Sequence, residues 1–240
     1  MSSFRFKEFD IRQSNSAMKV GTDAMILGSI CTFLESPKNI LDIGTGTGVI
    51  SLMLAQRFKP ERITAIEIDE AASKDAQYNF NESNFPTTFN LIHQDIRLMK
   101  LDLTFDAIIS NPPFFENSSK SISDQRNLAR HTDNLSYADL MEAVASRLTN
   151  TGLFWVIVPY EVFDFLCNLG KDFGLSVFQY ITIYGKPDKP IRSVVAFSKT
   201  IHQLTTDNLT IRDAFGNYTD SYIELTKSFH SVDLSQKKLK

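Results

Sequence analysis

The sequence predicts a three-layer α/β/α fold, with helices on both faces of a mainly parallel seven-stranded sheet whose last strand is antiparallel. Two observations lead to this fold class. Short apolar runs alternate with longer amphipathic stretches along the chain, which is the pattern of repeated βαβ units. Each apolar run is also rich in branched or aromatic residues, as expected for strands that are covered on both faces.

The elements follow in order from this pattern. Five core strands are predicted at Asn39–Ile43, Arg62–Ile66, Thr88–His93, Phe105–Ser110 and Leu153–Val158. Helices are predicted where apolar residues recur on one face, at Val49–Phe58, Glu70–Glu82, Tyr137–Leu148 and Glu161–Lys171.

The pattern changes after the fifth strand. Leu175–Tyr184 and Ser193–Ser198 are expected to form an antiparallel pair joined by a loop over 185–192. The tail from Asp207 predicts a short strand, a turn at 215–217 and a helix near 221–229. We expect a single domain over 1–240, made of an N-terminal segment (1–36), a core (37–200) and a C-terminal extension (201–240).

Composition restricts the class of protein. Of the 240 residues 42% are hydrophobic, enough for a stable core without cross-links. Cys31 and Cys167 fit no metal-ligand spacing, so we expect two free thiols and no metal site. The N-terminus lacks the apolar run of a signal peptide and no stretch is long enough to span a bilayer, which favours a soluble, cytoplasmic protein. A net charge of −3 argues against coating of nucleic acid by bulk charge, but not against a local basic face.

A glycine-rich loop follows the first predicted strand, where Gly44, Thr45, Gly46, Thr47 and Gly48 lead into a helix. Glycines permit sharp turns and close approach of a ligand, and the helix start offers free amides. Such a loop alone is a weak signal, since NAD-binding proteins and plain structural turns also use it.

Two carboxylates make the prediction of a ligand-binding loop more specific. Glu67 ends the second strand, 19 residues after Gly48, and Asp95 follows the third strand. Singly, each would be interpreted as a solvated loop residue or a helix cap. Together with the glycines, at strand ends on one sheet edge, they predict a nucleoside site in which Glu67 binds ribose hydroxyls and Asp95 reaches an adenine edge.

The run Asn111-Pro112-Pro113-Phe114 directly follows the fourth strand. Two prolines fix a rigid, extended turn, which on its own would favour a strand-ending turn with a core phenylalanine. Because the run occurs in the same chain as the glycine loop, it favours a catalytic motif. The Asn111 side-chain oxygen and the Pro112 carbonyl can accept hydrogen bonds from an amino group, and Phe114 can stack on the ring that carries it.

Three further segments could supply binding residues at the same edge of the sheet. Lys19 to Asp23 precede an apolar helical run, in which Thr22 or Asp23 fits the N-cap and the segment can close over a ligand. A polar stretch, Glu116–Leu135, is too long for a simple connection. Basic residues lie in that stretch and in the loop over 185–192, where either a solvated surface or RNA contact is consistent with them. They are Lys120, Arg126, Arg130, His131, Lys186, Lys189 and Arg192.

The glycine loop with its leading acid, Asp42, resembles the first motif of the Rossmann-like class I S-adenosylmethionine methyltransferases. The resemblance implies S-adenosylmethionine as cofactor and S-adenosylhomocysteine as product. It also implies that the glycines hold the methionine portion, Glu67 the ribose and Asp95 the adenine. The cofactor contacts it suggests are Lys19, Thr22, Asp42, Gly44, Thr45, Gly46, Gly48, Glu67, Ile68, Asp95, Ile96 and Asn111.

The NPPF run resembles the signature of amino methyltransferases, which act on adenine in DNA or RNA or on a protein glutamine. More of the chain is similar to the bacterial tRNA1(Val) adenine-N6 methyltransferases: AMKVGTD at 17–23, ISNPPFF at 109–115, the QR and AR pairs within 125–130, and NYTDSY at 217–222. That family methylates adenosine 37 of a valine tRNA. Phe114 and Phe115 stand where relatives can have tyrosines, so stacking is kept and a hydroxyl contact is lost.

The resemblance implies tRNA as the partner, with Phe115, Lys120, Arg126, Arg130, Lys189 and Arg192 as its contacts. From the residues alone other functions stay open. The substrate of the same chemistry can be ribosomal RNA, DNA or a protein glutamine. An NAD-dependent oxidoreductase and a non-catalytic RNA- or nucleotide-binding protein are the alternatives outside this chemistry.

Overall fold

The computed structural model describes residues 3–16, 18–100, 103–112 and 135–235, which form ten strands and six α-helices. The strands are β1 (Ser3–Arg5), β2 (Asp10–Arg12), β3 (Asn39–Ile43), β4 (Arg62–Glu67), β5 (Thr88–His93), β6 (Phe105–Ser110), β7 (Leu148–Pro159), β8 (Ser176–Lys186), β9 (Lys189–Ser198) and β10 (Thr205–Thr210). The helices are α1 (Thr22–Ile30), α2 (Val49–Phe58), α3 (Glu70–Glu82), α4 (Tyr137–Arg147), α5 (Phe163–Asp172) and α6 (Asp220–Thr226).

Eight strands form the central sheet, in the order β10-β8-β9-β7-β6-β3-β4-β5. Strand β9 is antiparallel to β7 and β8, and the other pairs in this sheet are parallel. The mainly parallel sheet with one antiparallel strand is therefore confirmed, but the count of seven strands is wrong. The antiparallel strand is β9, and it is not the last, since β10 follows it and is parallel to β8. The eighth strand is β10, which pairs with β8 at the sheet edge. Of its residues only Leu209 is buried, so the apolar pattern is too weak to predict that the segment joins the sheet.

Helices cover both faces of this sheet. Side chains of β7 alternate between the two: Trp155 packs on the face of α1, α2, α3 and α6, and Phe154 on the face of α4 and α5. Both side chains are fully buried. A strand buried on both faces is continuously apolar, which explains why the core strands were visible in the sequence. A separate two-stranded antiparallel sheet, β1 with β2, was not predicted.

The connection between β8 and β9 is a tight hairpin. The strands extend to Lys186 and from Lys189, leaving only Pro187 and Asp188 between them, with Asp188 in the left-handed region at φ 59°. Asp tolerates that conformation in turns. The loop expected over 185–192 is therefore wrong, because Lys189 and Arg192 belong to β9.

The start of α1 also differs from expectation. Gly21 is the N-cap and no side chain caps the helix, so Thr22 and Asp23 lie inside its first turn. The helix predicted over 161–171 is present as α5 but begins at Phe163, because a 3-10 turn at Tyr160–Val162 precedes it. In the part of the chain that the structure describes, no helix has the length and apolar character needed to cross a bilayer.

Candidate active site

The predicted site residues gather at the carboxyl edge of the sheet, where the chain changes direction. From β3 the chain adds β4 and β5 on one side and then crosses to β6 on the other. Ile43, the last residue of β3, is paired with Ser110, the last of β6, so Gly44 and Asn111 emerge side by side. The Ser110 hydroxyl donates to the Ile43 carbonyl at 2.9 Å. Crevices at such a switch point are where open α/β sheets bind ligands.

The glycine loop has the backbone geometry that requires glycine. Gly44, Gly46 and Gly48 have φ of 71°, 58° and 80°. Gly44 and Gly46 face open space, whereas a Cβ at Gly48 would lie 2.5 Å from the Phe80 ring. Gly48 therefore allows α3 to pack closely on the start of α2, and the first two glycines are those left open to a ligand.

Asp42 lies fully buried beneath this loop. Its Oδ2 accepts hydrogen bonds from the hydroxyls of Thr45 at 2.6 Å and Ser51 at 2.7 Å. Its Oδ1 is buried and has no partner among the described residues. Burial raises the pKa of Asp42 to about 6, against the lowering effect of the two hydroxyls. The carboxylate thus fixes the loop through Thr45.

Glu67 fastens the other side of the same loop. Its Oε2 accepts the Gly46 amide at 2.7 Å and its Oε1 the Asp69 amide at 2.9 Å. Next to it, Ile68 is 58% exposed, an apolar surface at the end of β4. The carboxylate expected to bind ribose therefore also sets the position of Gly46.

Asp95 follows β5 and is held by Arg97. Both oxygens of the carboxylate accept from the Arg97 Nε, at 3.0 and 2.9 Å, and the Arg97 amide donates at 2.9 Å. The hydrogen bond from the Arg97 side chain lowers the pKa of Asp95. The neighbouring Ile96 is buried in the core beneath the sheet, so its side chain is not open to a ligand.

A cavity of about 530 Å³ opens above the loop. Its walls include eight of the sequence-predicted residues: Lys19, Thr22, Gly44, Thr45, Gly46, Asn111, Pro112 and Arg192. Among the described residues, seven that were predicted do not line it: Asp42, Gly48, Glu67, Ile68, Asp95, Ile96 and Lys189. Phe114, Phe115, Lys120, Arg126 and Arg130 lie outside the described residues.

Asn111 lines this cavity and carries a buried acceptor. Its Oδ1 is shielded from solvent and has no hydrogen-bond partner among the described residues. A buried polar atom without a partner costs free energy and in native proteins calls for an explanation. An acceptor that awaits a donor from a ligand provides one.

Lys19 and its neighbours form another part of the cavity wall. The Lys19 ammonium donates to the carbonyls of Gln13 and Ser16, the latter at 3.0 Å. The Gln13 side chain accepts the Val20 amide at 2.8 Å. Lys19 therefore shapes its own segment as well as lining the cavity.

Two buried side chains of α3, which the sequence analysis missed, attach this segment to the site. Asn79 accepts from the Arg12 amide at 2.8 Å and donates to the Thr47 carbonyl of the glycine loop at 2.8 Å. Asp75 accepts the amide of Ser16 at 3.0 Å. A sequence signal was present, since two polar residues one turn apart stand on the apolar face of α3.

Arg192 closes one side of the cavity by pairing with Asp23 of α1 at 2.9 Å. The side chains are 28% and 21% exposed, so this ion pair is partly shielded. Burial raises the pKa of the nearby Tyr137 to about 12, with Arg192 acting in the opposite direction. The arginine expected to contact RNA therefore joins β9 to the N-terminal segment.

The C-terminal extension supplies a further wall that sequence reasoning missed. Ile211, Arg212 and Tyr218 line the cavity directly after β10. In the sequence, the NYTDSY run indicated only a resemblance and no place in the site.

Cys31 and Cys167 are free thiols. No group of three metal-ligating side chains occurs among the residues that the structure describes.

Comparison with known proteins defines the class. The sequence profile of the methyltransferase small domain family matches residues 16–162, more than half of the chain. A solved predicted O-methyltransferase from Agrobacterium tumefaciens superposes with a TM-score of 0.65 at 18% identity, over 86% of this chain and 96% of that one. A methyltransferase from Pyrococcus furiosus gives 0.58 at 24% identity, over 80% and 90%. These structures share the fold, and the chain is a member of the methyltransferase small domain family.

Named relatives identify a narrower family among the methyltransferases. The tRNA1(Val) (adenine(37)-N6)-methyltransferase of Flavobacterium johnsoniae is 39% identical over 95% of this chain and 98% of that protein. The protein of the same name from Haemophilus influenzae is 40% identical over 96% and 99%. The chain belongs to the tRNA1(Val) (adenine(37)-N6)-methyltransferase family, which confirms the resemblance found in the sequence.

Proposed function

We propose that this protein transfers a methyl group from S-adenosylmethionine to the N6 amino nitrogen of adenosine 37 in a valine tRNA, and that it acts in the cytoplasm. The observation that carries the proposal is the Oδ1 of Asn111, which is buried beside the glycine loop at the switch point of the sheet and has no hydrogen-bond partner among the described residues. The names of its full-length relatives supply the substrate.

The residues at the site fit the cofactor. Gly44 and Gly46 leave backbone open to the cavity, and Glu67 and Asp95 stand at neighbouring strand ends. The exposed Ile68 offers an apolar surface for the adenine of the cofactor. Asp42 and Thr45 lie where a cationic ligand would benefit from a carboxylate behind the loop. Lys19 and Thr22 line another part of the cavity wall.

The cofactor supplies an electrophilic methyl group on a sulfonium sulfur. The adenine amino group is a weak nucleophile because its lone pair is delocalised into the ring. Asn111 Oδ1 and the Pro112 carbonyl accept hydrogen bonds from its two N–H groups and hold the nitrogen lone pair towards the methyl group. The N6–carbon bond forms as the sulfur–carbon bond breaks, the sulfur keeps that electron pair, and N6 loses a proton to solvent. Catalysis is then mainly alignment.

Most of the residues proposed to contact the tRNA are assigned from the sequence. Phe114 is proposed to stack on the target adenine, with Phe115, Lys120, Arg126 and Arg130 near the tRNA. Of the basic residues on β9, Lys189 lies near the hairpin tip and is exposed, so it suits a phosphate contact. Arg192 lines the cavity and would act closer to the target nucleotide.

A methyl-transfer assay with defined RNAs tests this function. Purified protein and cofactor labelled in the methyl group are incubated with an unmodified valine tRNA transcript, and with a matched transcript in which adenosine 37 is guanosine. We expect labelling of the first and not the second, because guanine lacks the N6 amino group. Labelling of both transcripts, or only of ribosomal RNA, DNA or protein, would contradict the proposed substrate.

A further inference from the structure

The turn after β10 stands at the mouth of the cavity. Ile211 continues the pairing with β8, donating its amide to the Tyr184 carbonyl at 2.8 Å, and so lies at the carboxyl edge of the sheet. Arg212 and Tyr218, at the two ends of the turn, line the same cavity as Asn111. These residues line the cavity, but none of them is among the proposed cofactor contacts.

Phe215 projects from the tip of this turn and is 86% exposed. A ring on a pliable loop would fold back onto the protein, because burying an aromatic side chain is favourable. Among the large apolar side chains that the structure describes, only that of Ile201, at 84%, is exposed to a similar extent. Ile201 follows the end of β9, and β9 is antiparallel, so Ile201 lies at the opposite edge of the sheet.

The turn is braced so that the ring stays outside. Asp213 Oδ1 accepts the amides of Phe215 at 2.9 Å and Asn217 at 2.8 Å, and the Asp213 amide donates to the Asn217 carbonyl at 2.8 Å. Gly216 takes φ 89°, and its carbonyl accepts from the Arg212 guanidinium at 2.8 Å. These bonds fix the backbone on both sides of Phe215, so its exposure is built into the turn.

The surroundings of the ring are those of a nucleic-acid surface. The Arg212 guanidinium lies 4.0 Å from the centre of the Tyr218 ring, and Tyr218 stacks on Tyr222 at 5.0 Å and 14°. Lys186 and Lys189 stand on the neighbouring hairpin. Tyr218 is half-buried and Tyr222 is buried, so Phe215 is the exposed ring of this turn. An exposed ring with cations nearby can bind an unpaired base through stacking and its phosphates through charge. A protein-docking surface would instead show a contiguous apolar patch, and the neighbours of Phe215 in the turn include Asp213 and Asn217.

We propose that Phe215 is a stacking platform for an unpaired tRNA base next to the methylated adenosine, with Arg212 beside it at the mouth of the cavity. This inference rests on the proposed function. Moving the target base into the pocket removes its stacking on the neighbouring base, at a cost in free energy. A rigid ring at the mouth of the cavity replaces the lost stacking partner and so stabilises the open form of the anticodon loop.

Kinetics of Phe215 variants test the platform. We expect Phe215→Ala to raise the KM for tRNA about tenfold, the effect of losing one base–aromatic stack. The turnover rate and the cofactor affinity should stay at wild-type values. Phe215→Tyr keeps a ring and should retain the wild-type KM, whereas Phe215→Leu should behave like the alanine variant. The matched control is Ile201→Ala, for which no change is expected. A wild-type KM in Phe215→Ala or Phe215→Leu would overturn the proposal.

Fluorescence detects the stacking directly. Trp155 is the only tryptophan of the chain and is fully buried, so Phe215→Trp introduces an exposed reporter. Unmodified valine tRNA should quench its emission at the concentrations that saturate binding, and Ile201→Trp should show no quenching. Unchanged Phe215→Trp emission while a filter assay records bound tRNA would overturn the platform.

These experiments distinguish a failure of the platform from a failure of the proposed function. If the wild-type protein methylates the tRNA but the Phe215 variants bind it as tightly, only the platform is wrong. If tRNA binds and quenches the Phe215→Trp signal but is not methylated, the proposed function is wrong, and only the stacking of Phe215 on a tRNA base is supported. If the protein neither binds nor methylates tRNA, both are wrong.

Discussion

Replacing Asp42 with asparagine should change stability in a pH-dependent way. In the folded protein the pKa of Asp42 is raised from 3.8 to about 6, because burial disfavours the charged carboxylate. In the unfolded chain the group ionises near its ordinary pKa. Between those two values the folded state holds a proton that the unfolded state has lost, so the unfolding free energy of the wild-type protein falls as pH rises through this window.

The size of the effect follows from the shift. At about 1.36 kcal/mol per pKa unit, a shift of about two units corresponds to up to about 3 kcal/mol. Asparagine occupies the same space, and its oxygen can accept from Thr45 and Ser51 as Asp42 Oδ2 does, but it carries no titrating charge. The stability of Asp42→Asn relative to wild type should therefore rise between about pH 4 and pH 6 and stay level above it.

Urea unfolding of both proteins at several pH values from about 4 to 8 measures this difference, and titrating groups that do not interact with Asp42 cancel in the comparison. Calorimetry at pH 7.5 should show weaker cofactor binding by Asp42→Asn, since a negative charge behind the cationic ligand is lost. A relative stability that does not vary with pH, or that falls as pH rises from 4 to 6, would refute the assignment of a raised pKa to a buried Asp42.

Three further predictions concern binding and catalysis. Glu67→Ala should weaken cofactor binding by about 1–3 kcal/mol, the scale of hydrogen bonds to a charged acceptor, and unchanged calorimetric affinity in a folded variant would contradict the ribose assignment. Asn111→Ala should lose on the order of 100-fold or more in the methyl-transfer rate at nearly constant cofactor affinity, and full turnover would disprove the alignment mechanism. Replacing Arg126 and Arg130 together with alanine should raise the KM for tRNA and reduce the salt slope of binding by about one phosphate contact per side chain. A lower melting temperature with wild-type tRNA binding would instead indicate a structural role for both arginines.

Much of the fold could be predicted because its core elements carry strong patterns. The helices at Val49–Phe58 and Glu70–Glu82 begin and end where the amphipathic period does. The strand Thr205–Thr210 was not placed in the sheet, since an exposed edge strand needs few apolar residues. The loop expected over 185–192 failed for a related reason. Its lysines and prolines are typical of a loop, but two long strands extend through them into the hairpin.

The site was predictable where chemistry restricts the residue type. Glycines at positive φ and the asparagine after β6 are such positions, and the structure brings Gly44 and Asn111 together. The partner of Asn79, the Thr47 carbonyl, could not be assigned, because the two residues lie far apart in the chain. The place of Arg212 in the cavity wall depends on the fold in the same way. The pairing of Arg192 with Asp23 was hidden for the same reason.

Mass spectrometry of valine tRNA tests the central claim most directly. The tRNA is isolated from cells that lack this gene, and from the same cells carrying either the wild-type gene or the Asn111→Ala variant. We predict that the N6-methyl group on adenosine 37 is absent without the gene, returns with the wild-type protein and does not return with the variant. An intact methyl group at that adenosine in the deletion strain, or its full return with Asn111→Ala, would contradict the account.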